Sequence, residues 1–279
     1  GLAYVGLRWT RVWDSDDYLV RAQVEVDRAL ELAPQLADAQ LARGILAAQL
    51  AHYGEAGSGL RRCLEIAPTC SDALHYLADL ETAAGEMDRG MRRARLALRL
   101  DPLSHACQMV LARSDMRNGD RAQALDFIEQ LRRHLGVHPT GVMMAELQYG
   151  QWTGDLQILS GLLQRCHDRP ADRLVRLCCE ISSGAAAPSA ALAFVRRAAG
   201  ITNAPRMVSA VLQSICGALA LAGHDQEARM VLGELARLGH QDLDWLLRFP
   251  HLDSVRGSDE LQAAVETARR NAAALLAAK

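Results

Sequence analysis

The chain has 279 residues, is 50% hydrophobic and 23% charged, and carries a formal net charge of −2. It can therefore bury a core, and it lacks the basic excess of a nucleic-acid or membrane-surface binder. Its 47 alanines and 43 leucines against 4% aromatics are the composition of helices rather than sheets, and no apolar run approaches the ~20 residues that span a bilayer.

In chain order, the first segment is rich in aromatics, with Tyr4, Trp9, Trp13 and Tyr18. Asp14, Asp16 and Asp17 precede a predicted helix, where negative charge favours the N-terminal end of the dipole. The chain opens inside an apolar periodic pattern, with no initiator Met and no signal peptide, which predicts a piece of a longer protein. From Ala37 to Leu50, Leu41, Gly44, Ile45 and Ala48 recur at helical spacing. Gly54 is read as the break, and Ala56 to Ile66 as the returning helix, with Leu60, Cys63 and Leu64 inward. The next unit runs through Leu77, Ala78 and Leu80, then Gly85, then Met91, Ala94, Ala97 and Leu98. The one after has Val110, Leu111 and Ala112, then Gly119, then Ala124, Leu125, Ile128 and Leu131. Gly85 and Gly119 suit the left-handed residue that follows a helix end.

The units keep a period. Pro34, Pro68 and Pro102 are 34 residues apart, and Gly136 and Pro170 fall on the next two steps. A Pro can start the next helix but cannot sit inside the last one. Gly57, Gly59 and Gly90 lie inside predicted second helices, each at a cost of ~1 kcal/mol against Ala. They mark either close packing or weak helices. Residues 139–170 keep Tyr149 and Gly154, residues 171–204 match least, and the pattern returns in Leu219 to Ala228. A last helix starts near Ser258. Its stripe of Leu261, Val265, Ala268, Ala272 and Leu275 suits either a cap on the terminal unit or a dimer seam.

The units resemble tetratricopeptide repeats. The resemblance rests on Ala22, Ala29 and Pro34, then Gly44, Ala56 and Pro68, then Leu77, Ala78, Ala97 and Pro102, then Ala112 and Ala124. It covers residues 3–240 and is strongest over the first 136. The segment from Phe249 through Leu252-Asp253 and Arg256-Gly257 to Leu261 is similar to the ends of such arrays in bacterial regulators. There the array follows a winged-helix DNA binder, a nucleotide cyclase or a protein kinase. The resemblance implies an all-α fold, a right-handed α-solenoid of about seven helix pairs plus a C-terminal capping helix. Residues 1–136 would be regular units, 137–205 degenerate pairs, 206–240 a further unit and 241–279 the capping segment. The 34-residue prolines make the expected shape an extended, curved stack.

In such arrays the first helix of each unit lines the concave face, where a peptide or protein segment binds. Carried onto this chain, that face would hold Leu41, Ile45 and Gln49, then His75, Asp79 and Thr82. It would continue with Met109, Arg113, Met116 and Arg117, then Met143, Leu147 and Gln151. Gln49, His75, Asp79, Met109, Arg113, Met116, Arg117, Met143 and Gln151 are the candidate binding residues. Arg113 and Arg117 stand one turn apart and could hold a carboxylate, and the Met side chains adapt their shape to a partner.

No catalytic motif is present. Gly57-Ser58-Gly59 lacks the context of a phosphate-binding turn. His134 and His138 flank Gly136, and Cys166-His167 and Cys178-Cys179 lack zinc-site spacing. No metal or cofactor is expected, and the seven cysteines read as buried thiols of a cytoplasmic protein. Arg92, Arg95 and Arg99 form a basic stripe that reads as a solvated outer face. The expectation is a non-catalytic interaction or ligand-sensing module, the C-terminal part of a bacterial regulatory protein. Its partner would be a protein or peptide, with an N-terminal effector domain outside this chain, no direct nucleic acid, no membrane and a possible homodimer. An enzyme with a pocket in the irregular 139–205 region, or an oligomerisation module, is the alternative.

Overall fold

The computed structural model describes residues 18–136, 140–169, 172–199 and 205–278. Tyr4, Trp9, Trp13, Asp14, Asp16, Asp17, His138 and Pro170 lie outside them. Every regular element among the described residues is helical.

Helix α1 (Tyr18–Leu32) is followed by six hairpins. They pair α2 (Ala37–Gln49) with α3 (Tyr53–Ile66), α4 (Ser71–Ala83) with α5 (Met87–Leu100), and α6 (His105–Arg117) with α7 (Arg121–Leu135). The next three pair α8 (Thr140–Thr153) with α9 (Leu156–Arg165), α10 (Arg173–Ser182) with α11 (Pro188–Ala199), and α12 (Pro205–Leu221) with α13 (Asp225–Arg237). A short helix α14 (Leu243–Arg248), a 3₁₀ turn (Pro250–Val255) and α15 (Asp259–Ala277) complete the chain. The first helix of a hairpin is buried on most sides, as α2 and α4 are, whereas α5 buries only Gly90, Met91, Ala94 and Ala97. Arg92, Arg95 and Arg99 are on its exposed side, the solvated face expected from the sequence. Arg93 instead donates to the buried Glu81 carboxylate at 2.7 Å.

The turns follow the period with one surprise. Gly85 and Gly119 take φ of 91° and 89°, the left-handed conformation their positions require. In the first hairpin, Gly54 is not the break. It lies inside α3, which starts three residues earlier than the sequence suggests. The left-handed residue is Ala51, with φ 61°, and it stands 34 residues before Gly85. The repeat places Ala51 where its neighbours have glycine, and a Cβ is unfavourable there. Ala51→Gly should raise stability by about 0.5–1 kcal/mol, read as a higher urea midpoint with an unchanged slope.

The helix-interior glycines mark close packing rather than weak helices. A Cβ on Gly59 would stand 2.8 Å from Gly44 N and 3.1 Å from Gln40 O, so α2 and α3 touch through backbone. A Cβ on Gly90 would stand 2.7 Å from Ala78 O, which gives the same contact between α4 and α5. A Cβ on Gly57 would stand 2.8 Å from Leu275 O. That neighbour is not in the next hairpin but in the last helix of the chain.

This contact closes the stack. An open array would keep its last helix far from its first two hairpins, yet α15 packs on α3 and α4 as well as on α13 and α14. Ala272 and Leu275 belong to the same apolar cluster as Ala56 and Leu60, while Leu261, Ala264 and Ala268 belong to the cluster of Leu232 and Leu235. Arg61 donates to the carbonyls of Leu275 (3.0 Å) and Ala278 (2.9 Å), satisfying two groups that the end of α15 leaves free. At the other end, Ser258 caps the helix by accepting from Leu261 N–H at 3.3 Å. The heptad-like stripe is therefore buried within this chain, with Val265 half-buried beside it. It covers the last hairpin and also packs on the first. Among the described residues no helix is long and apolar enough to cross a membrane.

Candidate functional site

The first helices of the hairpins converge on a central cavity of about 430 Å³. Helix α2 contributes Gln49, α4 contributes His75, Asp79 and Ala83, and α6 contributes Met109, Arg113, Met116 and Arg117. Helix α8 adds Met144, Gln148, Gln151 and Trp152. The far wall is α12, from Arg206 to Ser214, with the loop His240–Asp242, Trp245 and Phe249. Eight of the nine candidate binding residues thus share one site. The exception is Met143, which does not line the cavity and is fully buried among core residues with Leu147. Leu41 and Ile45 are likewise core, and Thr82 is buried, donating its hydroxyl to Asp79 O at 3.0 Å.

The error at Met143 has a cause in the sequence. Gly85 and Gly119 are 34 residues apart, but Gly154 follows after 35. One extra residue rotates α8 by a helical step. Counted back from the left-handed residue, Met109 stands ten before Gly119, and the residue ten before Gly154 is Met144. The same count aligns Gln49, Ala83, Arg117 and Trp152, each two residues before its turn, and all four line the cavity. The turn glycine, rather than the proline period, was the usable signal.

The charges of the site are held by long-range pairs. Asp79 accepts from Arg113 through one carboxylate oxygen and from Arg206 through the other. Burial opposes its ionisation, but the two guanidinium groups outweigh it and hold the carboxyl well below the usual range. Arg117, 5% exposed, donates twice to Asp242 (2.8 and 2.7 Å) and once to Asp244 (3.1 Å). Its guanidinium also lies 5.4 Å from the ring centre of Trp152. Asp242 further accepts from Gln213 Nε2 and Trp245 N–H, each at 3.0 Å. Burial disfavours the Asp242 charge and Arg117 more than restores it, so its carboxyl also titrates well below the usual range. The expectation that Arg113 and Arg117 await a partner's carboxylate is corrected for Arg117. Its carboxylates belong to this chain and come from 125 and 127 residues further on.

His240 sits in the same wall, 2% exposed, with Nδ1 2.6 Å from Ser209 Oγ. Burial pulls its pKa down to about 4, against the attraction of Asp242. The folded pKa is thus depressed, so the unfolded chain takes up the proton first as pH falls. The stability associated with neutral His240 is present above pH about 6.5 and is lost as pH falls from there toward 4. Lowering the pH from about 7.5 to about 5 should cost about 2 kcal/mol of unfolding free energy by this route. His240→Asn should flatten the dependence measured by urea unfolding. His251, whose pKa burial also lowers, would leave a smaller residue of the same sign.

The region 140–199 contributes to this shared cavity through α8 and Leu174. Six of the seven thiols are buried, Cys70 being half-buried, and burial raises the Cys178, Cys179 and Cys216 pKa values. Among the described residues no cluster of three or more His, Cys, Asp or Glu side chains is placed to hold a metal ion. No family model and no curated protein matches the sequence.

Proposed function

We propose that the chain is a tetratricopeptide-type α-solenoid that acts as a non-catalytic ligand-sensing or partner-binding module of a larger bacterial regulatory protein. Its binding site is the central cavity, the closed form of the concave face of such arrays. The observation that carries this reading is the convergence of the first helices of the hairpins on one space of about 430 Å³. Cavities of about 300–1,000 Å³ lined by apolar and aromatic side chains, with a few fixed polar groups, are the usual form of a small-ligand site. Here four Met side chains, Trp152, Trp245 and Phe249 supply the apolar lining, and the ion-paired groups on α4, α6 and α12 supply the polar one. The size suits a small molecule or the end of a peptide better than a long segment. A ligand there would touch α4, α6, α8 and α12 at once, so its binding would change how strongly the two halves of the ring hold together.

Ala210 lines the cavity, and Ala210→Trp would fill it. Thermal-shift screening of the wild-type chain against small organic acids, amines and short peptides should yield stabilising ligands that this variant no longer recognises. Ligands that stabilise both proteins equally would place the binding site elsewhere.

A further inference from the structure

We propose that the cavity takes a small organic carboxylate with an apolar body, its charged group held by Arg113 and Arg206. This rests on the binding function above and names its ligand class. The first support is charge. Three guanidinium groups (Arg113, Arg117 and Arg206) and two carboxylates (Asp79 and Asp242) line the cavity. Arg117 is matched by Asp242, and Asp244 beside them, which also accepts from Arg117, is matched by Arg248, whereas Asp79 is shared by two arginines. One positive charge is left over, on the Arg113–Arg206 side.

The second support is donor capacity. A guanidinium has five N–H donors. Among the described residues Arg113 and Arg206 each give one to Asp79 and none elsewhere. Their side chains are 20% and 15% exposed, so the surplus charge is partly desolvated and still reachable. A charge-assisted hydrogen bond is strongest in that setting.

The third support lies in the same wall. Arg117 Nε and His240 Nε2 are buried and have no hydrogen-bond partner among the described residues. Unpartnered buried polar atoms are rare in native proteins. When Ser209 donates to His240 Nδ1, Nε2 carries the proton and becomes a further donor for a ligand oxygen. The rest of the lining, with Met109, Met116, Met144 and Trp152, fits a hydrocarbon body, the thioethers adjusting to its shape. A monoanion matches the single surplus charge. A phosphate dianion would leave an uncompensated charge beside Asp79 and Asp242, which is costly in a desolvated site.

Octanoate, 1-octanol and octyl phosphate test this on the full chain, by calorimetry and by the fluorescence of Trp152 and Trp245. Octanoate should bind, and octanol and octyl phosphate should bind at least about tenfold more weakly. Arg206→Gln should weaken octanoate about tenfold or more and leave octanol unchanged. Asp79→Asn, which frees both guanidinium groups, should tighten octanoate at least about threefold. Equal binding of octanol, tighter binding of octyl phosphate, or no octanoate binding at about 1 mM would overturn the carboxylate assignment. Octanoate binding left unchanged by both Arg206→Gln and Asp79→Asn would overturn it as well. If some ligand still binds and Ala210→Trp abolishes it, the binding function itself survives. If Ala210→Trp leaves octanoate binding intact, the cavity is not the site and both proposals fail. A peptide ending in a free Leu carboxylate that binds more tightly than octanoate, and more tightly than its own amide, would overturn the small-molecule form by assigning the group to a protein terminus.

Discussion

Arg117→Leu is expected to destabilise the protein by about 3–5 kcal/mol, the usual cost of removing one partner from a buried ion pair. Arg117 is almost wholly buried, and Asp242 and Asp244 are 7% and 5% exposed. Without the guanidinium, two carboxylates would remain in a desolvated wall. Asp244 keeps Arg248 at 3.1 Å, but Asp242 keeps only neutral donors. The same side chain fixes the loop before α14 to the end of α6, and Arg248 donates to Arg117 O across the same junction. The junction would therefore lose both a charge balance and a clasp. Urea unfolding measures the loss directly. A triple variant, Arg117→Leu with Asp242→Asn and Asp244→Asn, should recover much of it, because the stranded charges are gone. A loss below about 1 kcal/mol in the single variant would mean that the pair is solvated and weak.

Removing residues 258–279 is expected to be the more damaging change. Leu261, Ala264, Ala268, Ala272 and Leu275 would vanish from two apolar clusters. Leu60, Leu232 and Leu235, all fully buried, belong to those two clusters and would lose part of their packing. Fully burying a side chain of that size is worth about 1.5–3 kcal/mol each relative to exposure, so the truncated chain should aggregate or melt at a much lower temperature. Thermal unfolding with sedimentation velocity reads both outcomes. A milder probe is Leu275→Ala, expected to cost about 2–5 kcal/mol, because Leu275 is 2% exposed and sits where α15 lies against Gly57. A stable dimer that became an equally stable soluble monomer on truncation would instead identify α15 as a subunit seam.

Both results depend on contacts that span most of the chain, and that marks the boundary of what the sequence determined. Local pattern was enough for the helices, since apolar spacing and breakers act within a turn or two. It was enough for α4 to α7, where the glycine turns fall on the period. It also brought Gln49, His75, Asp79, Met109, Arg113, Met116, Arg117 and Gln151 to one face, because a repeated unit repeats its orientation. It failed by one helical step at Met143, where the spacing from Gly119 to Gly154 grows by a residue. It also misplaced the first break at Gly54, because Ala51 adopts a conformation that its residue type does not announce.

That Asp79 meets Arg206, that Arg117 meets Asp242, and that Leu275 lies on Gly57 follows from long-range packing alone. These partners are separated by 127, 125 and 218 residues. Their meeting depends on how every intervening helix packs on its neighbours. Each interface is set by side-chain packing, and no short stretch of sequence encodes all of them together. The helices and their inward faces are local consequences of the residues. The cavity, its ion pairs and the contact of α15 with α3 are consequences of packing across the whole chain.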